Sequence, residues 1–260
     1  MRIDDIPRVE LFGIPIARLT MIETLLAVED AIENGKQLRH VVLDAVEIVR
    51  LQTDEKLRES VLIANLISAD GIAVVWASKI LGRAVPERVA RIDLMENLLE
   101  MAHENSYKVF FLGGNVDEEV SKFVKHYSDM YSSSIIAGYH SGDYTEKEGR
   151  GIAEMIADSG ANLLFMATAS PKKEIFLNKH KDILSRVNMV MDLGGSFENV
   201  AGKVKYTTVC IQDFGLGWFY RFTRELQRIW KRYLVGYAKF ILLTLKEKLT
   251  SVRSPDPVTA

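Results

Sequence analysis

The run ISADGIAVVWASKILG, residues 67–82, puts a carboxylate, Asp70, where a β-rich apolar stretch gives way to a helical one. Two chemistries use an aspartate there. As a helix cap it accepts hydrogen bonds from the first free amides. At the carboxyl end of a buried strand it can serve as a general base toward a bound hydroxyl. Other groups with chemical potential recur at comparable places: Asp44 after HVVL, Gly113 and Gly114 closing KVFFLGG, Lys172 and Lys173 after the turn 168–171, and Gly194 and Gly195 closing VNMVMDLGG.

Each of these has a plain reading beside a chemical one. LFMATASPKKEIF reads as strand, small-residue turn and helix opened by Pro171, so its free amides and two lysines suit a nucleotide diphosphate or simply a solvated connection. FFLGGN has neither GxGxxG nor GxxxxGK[ST], and its glycines read as a tight turn more readily than as a phosphate loop. In DLGGSFENVAGKVK the glycines permit close backbone approach to a ligand, with Glu198 and Asn199 in range of sugar hydroxyls. The five histidines show no metal-ligand spacing and Cys210 stands alone, so no transition metal is expected. His103, His126 and His180 fall in polar helical stretches and are expected at the surface, His140 in a loop.

The elements that must position these groups follow from the apolar pattern. Segments 40–45, 61–68, 108–114, 134–138, 161–168 and 187–195 read as strands, several continuously apolar as in a sheet covered on both faces. Helical spacing separates most of them, and Thr145 with Glu148 has the form of a capping box. The alternation predicts an α/β, Rossmann-like fold with a mostly parallel sheet flanked by helices, whose ligands sit at the strand carboxyl ends.

Composition bounds the partners. The 260 residues are 48% hydrophobic and 26% charged, enough for one large domain or a domain with an appendage. A single cysteine, an acidic N-terminus and the lack of a long apolar run argue for a cytoplasmic protein with peripheral membrane contact at most. The formal charge of −2 conceals a split: residues 203–253 hold 11 Lys/Arg against 3 Asp/Glu, leaving 22 against 32 elsewhere. That separation predicts a core over 1–202 and a basic, aromatic, helical appendage over 203–260. Phe222, Leu226, Ile229, Tyr233, Tyr237, Phe240 and Thr244 form one stripe of it, beside Arg221, Arg224, Arg228 and Lys231. Such a helix suits an anionic lipid surface, or packing on its own domain; the near-neutral total argues against nucleic acid.

Together ADGIAVVWASKILG, ERVARIDL, VFFLGG, SPKKE, GGSFENVAGKVK and GLGWFYRFTRELQRIWKRYL, in that order over about residues 8–235, resemble the WecG/TagA/CpsF glycosyltransferases, glycosyltransferase family 26. The resemblance implies metal-independent, inverting transfer of an N-acetylmannosamine-type or related sugar from a UDP donor to a polyprenyl-diphosphate-linked acceptor. It also implies no cofactor, a place in cell-surface polysaccharide synthesis and a position at the inner face of the plasma membrane. By the same resemblance Asp70 is the general base, Arg88 contacts the donor diphosphate with support from Asp93, and Arg221, Arg224 and Arg228 complete the site. Gly113, Gly114, Gly194, Gly195 and Glu198 approach the donor.

The chain departs from the family pattern where Thr-x-Asn becomes Val42-Leu43-Asp44, PKQE becomes Pro171-Lys172-Lys173-Glu174, the glycine of RVxGxDL becomes Arg91, and RAP becomes Tyr206-Thr207-Thr208. Asp44 and Lys173 are therefore expected in the sugar site, and buried charges need partners, which points toward a charged sugar such as a uronic acid. Two rival readings remain: a non-catalytic binding homologue, and a nicotinamide-dinucleotide enzyme, against which the missing GxGxxG counts. Whether the protein forms a homo-oligomer is left open.

Overall fold

The computed structural model describes residues 1–114, 117–168, 171–194 and 235–250. A short antiparallel hairpin, β1 (Arg8–Leu11) and β2 (Ile14–Ala17), leads through α1 (Met21–Glu33) into the alternating part of the chain. There β3 (Leu38–Leu43), β4 (Leu66–Ala69), β5 (Val109–Gly113), β6 (Ile136–His140), β7 (Leu163–Ala167) and β8 (Met189–Asp192) form one sheet in the order β4-β3-β8-β7-β5-β6. Every pairing in it is parallel. Its connections carry α2 (Ala45–Leu51), α3 (Glu55–Leu62), α4 (Ile72–Ile80), α5 (Arg91–Asn105), α6 (Asp117–Met130), α7 (Gly149–Asp158), α8 (Lys172–Lys179) and α9 (Lys181–Leu184). The expected α/β architecture is thus the observed one.

Alternate residues of each strand face opposite sides, and the two sides differ in a way that matters for ligands. On one, Leu38, Val42, Phe111, Phe165 and Met191 join α1, α5 and α6 in a single continuous core. On the other the core is split. Val41, Leu43, Ile67 and Ala69 pack under α2, α3 and α4 with the hairpin. Leu112, Leu164, Met166 and Val190 pack under α7, α8 and α9. The division lies over the β3–β8 seam, because the chain leaves β3 outward to β4 while β8 is entered from β7. Helices on that face therefore diverge, the arrangement that opens a crevice in doubly wound sheets.

Residues 235–250 form a helix that covers the hairpin side. Phe240 is buried with its ring 5.3 Å from that of Phe12. Glu247 accepts the Phe12 amide at 3.0 Å and pairs with Arg83 at 2.9 Å. Gly236 sits so close to Val46 that a Cβ would lie 2.8 Å from its side chain.

Several boundaries differ from the expected ones. Segment 61–68 is the end of α3 followed by β4, so only its last residues are strand, because a short apolar run fits a helix end as well as a strand. Ala45 belongs to α2, not to β3. Glu148 reaches back to the Thr145 amide at 2.6 Å, but α7 begins only at Gly149. His180 is buried against Phe176, ring centroids 5.2 Å apart, rather than at the surface, since it closes α8 where α9 folds back. Of the expected appendage stripe, Phe240 and Thr244 point inward, while Tyr237 is exposed; its residues from 222 to 233 lie outside the described residues.

Candidate active site

The carboxyl ends of β3, β4 and β8 bring four carboxylates around one guanidinium. Asp44, next after β3, caps α2: its Oδ1 accepts the Glu47 amide at 2.7 Å while Glu47 Oε2 accepts the Asp44 amide at 2.8 Å. Burial pushes the carboxyls of Asp44 and Glu47 above their ordinary range. Asp70, next after β4, donates its amide to Leu43 at 2.9 Å and so extends β4 along β3. It does not take the N-cap of α4; that residue is Gly71, at φ +96°, a left-handed conformation that glycine adopts freely.

The Asp70 carboxyl is also raised by burial, against the opposing fields of Arg91 and Arg88. A raised value makes a carboxylate a stronger base once ionised, which is the requirement for accepting a hydroxyl proton. Arg88 stands at the exposed flank in an ion pair with Asp93 at 3.1 Å.

Across the seam, Asp192 ends β8 and is held by Lys173 from α8, which also lies 3.6 Å from Glu174. Burial alone would raise the Asp192 carboxyl, but Lys173 and then Arg91 outweigh it and hold it below the usual range. Asp192 Oδ1 in turn accepts the Gly194 amide at 2.8 Å. Gly194 has φ +51°, a conformation that strains an L side chain, and Arg91 Nη1 lies 2.7 Å from where a Cβ would stand. Gly114 lines the same space at φ +81°, whereas Gly113 is glycine because β7 lies too close for a side chain, with Ala167 Cβ 2.5 Å from the added atom.

Below this rim a cavity of about 500 Å³ runs down the split face of the sheet. Val41, Leu43 and Val190 floor it, α2 and α3 wall one side, and α8 walls the other. Its polar end carries Glu47, Thr168, Lys173, Glu174 and Asp192. Among the described residues, Thr168 Oγ1 and Glu174 Oε2 are buried without a hydrogen-bond partner. Buried oxygens of that kind suit the hydroxyl and amide groups of a sugar.

The model of the glycosyl transferase WecG/TagA/CpsF family matches residues 9–254. The chain belongs to that family. Among its relatives is an N-acetylglucosaminyldiphosphoundecaprenol N-acetyl-beta-D-mannosaminyltransferase of Bacillus spizizenii, 32% identical over 190 residues, covering 73% of this chain and 72% of the relative. A protein of the same description from Bacillus subtilis is 30% identical over 185 residues, covering 71% and 70%. The chain is therefore a glycosyltransferase by family, and the strand-end rim is where its sheet topology places a ligand.

The structure gathers Asp44, Asp70, Lys173, Gly114 and Gly194 at one end of the sheet, with Arg88 and Asp93 beside them. Gly195, Glu198, Arg221, Arg224 and Arg228 lie outside the described residues. Sequence reasoning missed Glu47, Asp192 and Glu174, and saw Arg91 only as a departure from the family pattern. The partners that Asp44 and Lys173 require are supplied within the chain, by the α2 amide and by Asp192 with Glu174. The premise for a charged sugar is thereby removed.

Proposed function

We propose that this glycosyltransferase transfers an N-acetylmannosamine-type sugar, with inversion, from a UDP donor to a polyprenyl-diphosphate-linked saccharide. The observation that carries the reading is the half-buried Asp70 at the carboxyl end of β4, within the field of Glu47, which lines a cavity of about 500 Å³, in a chain whose relatives are named for N-acetylmannosaminyl transfer to N-acetylglucosaminyldiphosphoundecaprenol. Asp70 accepts the proton of the acceptor hydroxyl as its oxygen bonds to the anomeric carbon, and the bond from that carbon to the diphosphate breaks, releasing UDP. Arg88, with Arg221, Arg224 and Arg228 of the appendage, balances the charge that grows on the leaving diphosphate; fixed guanidiniums serve this role where no metal is required.

Membrane contact belongs to the same reading, since the acceptor is lipid-linked. Among the described residues no helix is long and apolar enough to cross a membrane. The helix 235–250 instead turns Ile241, Leu242, Leu245 and Leu249 outward, with Lys239, Lys246 and Lys248 on either side of that stripe. An apolar stripe between lysines is the pattern of a helix lying in an anionic interface.

The test is transfer from UDP-N-acetylmannosamine to a lipid-diphosphate-linked N-acetylglucosamine, with other UDP-sugars in parallel. Asp70→Asn is expected to abolish product while UDP still binds. Near-normal transfer by this variant removes Asp70 as the base, and no transfer by the wild type from any UDP donor removes the reaction itself.

A further inference from the structure

We propose that the outer face of α4, formed by Ile72, Trp76 and Ile80 with Lys79, is a second lipid-contact surface, through which the catalytic body itself lies on an anionic bilayer and Asp70 is brought to the lipid. The proposal rests on the lipid-linked acceptor proposed above and adds a contact that the helix 235–250 does not make.

α4 opens at its N-cap Gly71, directly after Asp70. Its inner side is accounted for: Val74, Val75, Ala77 and Ser78 are buried, and Val74 and Ala77 share a core with the hairpin and with Phe240 of the helix 235–250. Ile72, Trp76 and Ile80 recur at intervals of four and so line the opposite side, where they are 51%, 59% and 54% exposed. Lys79 is the remaining exposed residue of α4. A helix on the surface of a globular domain ordinarily turns polar residues outward. Here the outward sector is apolar over about 12 Å, at 1.5 Å per residue from Ile72 to Ile80, with one ammonium beside it.

Shape, charge and place name the occupant. The three side chains stand on a convex helix side and none lines the cavity beneath the rim, so they give a single isoprenoid chain no enclosure, whereas a bilayer surface covers them together. Residues 71–86 hold Lys79 and Arg83 and no Asp or Glu, although the body outside 203–253 carries 22 Lys/Arg against 32 Asp/Glu. Anionic headgroups therefore meet no carboxylate of this segment, and the Lys79 stem can lie on the apolar sector with its ammonium among the phosphates. Tryptophan and lysine are residues that anchor a protein at the headgroup level.

The acceptor hydroxyl must reach Asp70 while its isoprenoid stays in hydrocarbon, so lipid has to come close to the end of β4, where α4 begins. Arg83, just past α4, pairs with Glu247 at 2.9 Å and donates to the Glu10 carbonyl at 3.0 Å. These bonds tie α4 to the helix 235–250, and the apolar stripes of both helices are borne on one packed unit.

The test uses the full chain and phosphatidylglycerol vesicles that hold no acceptor, which separates a bilayer from a single isoprenoid chain. Trp76→Glu with Ile80→Glu is expected to cut sedimentation with the vesicles at least tenfold while Tm stays within a degree or two, because both side chains are exposed. In the wild type, brominated phosphatidylcholine in the vesicles is expected to quench a part of the tryptophan fluorescence that Trp76→Phe removes. Wild-type sedimentation of the folded double variant overturns the proposal, and so does quenching that is unchanged in Trp76→Phe, which leaves Trp76 away from lipid. A dimer in lipid-free buffer that the double variant dissociates overturns it too, by assigning the face to a second copy of the chain. If the double variant does not fold, the quenching decides. Absence of transfer by the wild type condemns the proposed reaction and leaves both lipid readouts standing.

Discussion

Asp70 bears a cost that its neighbours only partly offset. Because burial raises its carboxyl in the folded chain, the protonated form is favoured by folding. The associated stability is fully present below the unfolded value, about 3.9, and is lost as pH rises through the higher folded value. At neutral pH the ionised carboxylate therefore weakens the fold that holds it, as functional groups often do. Asp70→Asn is expected to raise Tm at pH 7, the difference shrinking as the pH falls toward 4; thermal unfolding across that range reads it, and a lower Tm at pH 7 would show that the charge stabilises instead. Asp192 works the other way. Lys173 and Arg91 overcome its burial, so its contribution is present above the unfolded value and is lost in acid as pH falls through the folded one. Asp70 was legible in the sequence because a carboxylate at a strand-to-helix junction is odd wherever the strand lies. Arg91, Glu47 and Asp192 were not, since each sits inside an ordinary helical or strand pattern and gains its meaning only where β3, β4 and β8 meet.

At the scale of elements, apolar runs were read correctly wherever both faces of a strand are covered, as in VFFLG of β5, buried throughout. They misled at 61–68, where Val61 is buried from a helix and Leu66 from a strand with a turn between. The crevice was beyond reach, because it depends on which neighbour each strand finds in space. The helix 235–250 shows the same limit: its aromatic spacing was visible, but which face packs inward was decided by Phe12, Arg83 and Val46, far away in sequence. Its attachment is local enough to test. Phe240→Ala is expected to remove about 3 kcal/mol of packing, to be read as faster hydrogen exchange and proteolysis over 235–250, with the sheet protected as before. Unchanged exchange in the helix would show that Glu247, through Phe12 and Arg83, suffices to hold it.

For the whole molecule, charge and apolar surface point the same way. On the proposed membrane contact, the body outside 203–253, with 22 Lys/Arg against 32 Asp/Glu, would be repelled by an anionic bilayer and 203–253, with 11 against 3, attracted to it. The outward lysines of the helix cannot anchor it by themselves: at about 1 kcal/mol each near an anionic surface, three supply roughly 3 kcal/mol, well short of the roughly 8 kcal/mol of micromolar binding. Under the proposed membrane contact the outward leucines supply the rest by burial. Leu242, at 66% exposed, and Leu245, at 53%, hold little of the fold together and leave Phe240 and Glu247 untouched. Leu242→Glu with Leu245→Glu is therefore expected to keep Tm within a degree or two while cutting sedimentation with phosphatidylglycerol vesicles at least tenfold. It should leave transfer to a short-chain, water-soluble acceptor intact. Wild-type vesicle binding in the double variant would place the anchor elsewhere in the chain, and loss of transfer to the soluble acceptor would mean that this face serves the active site rather than the bilayer.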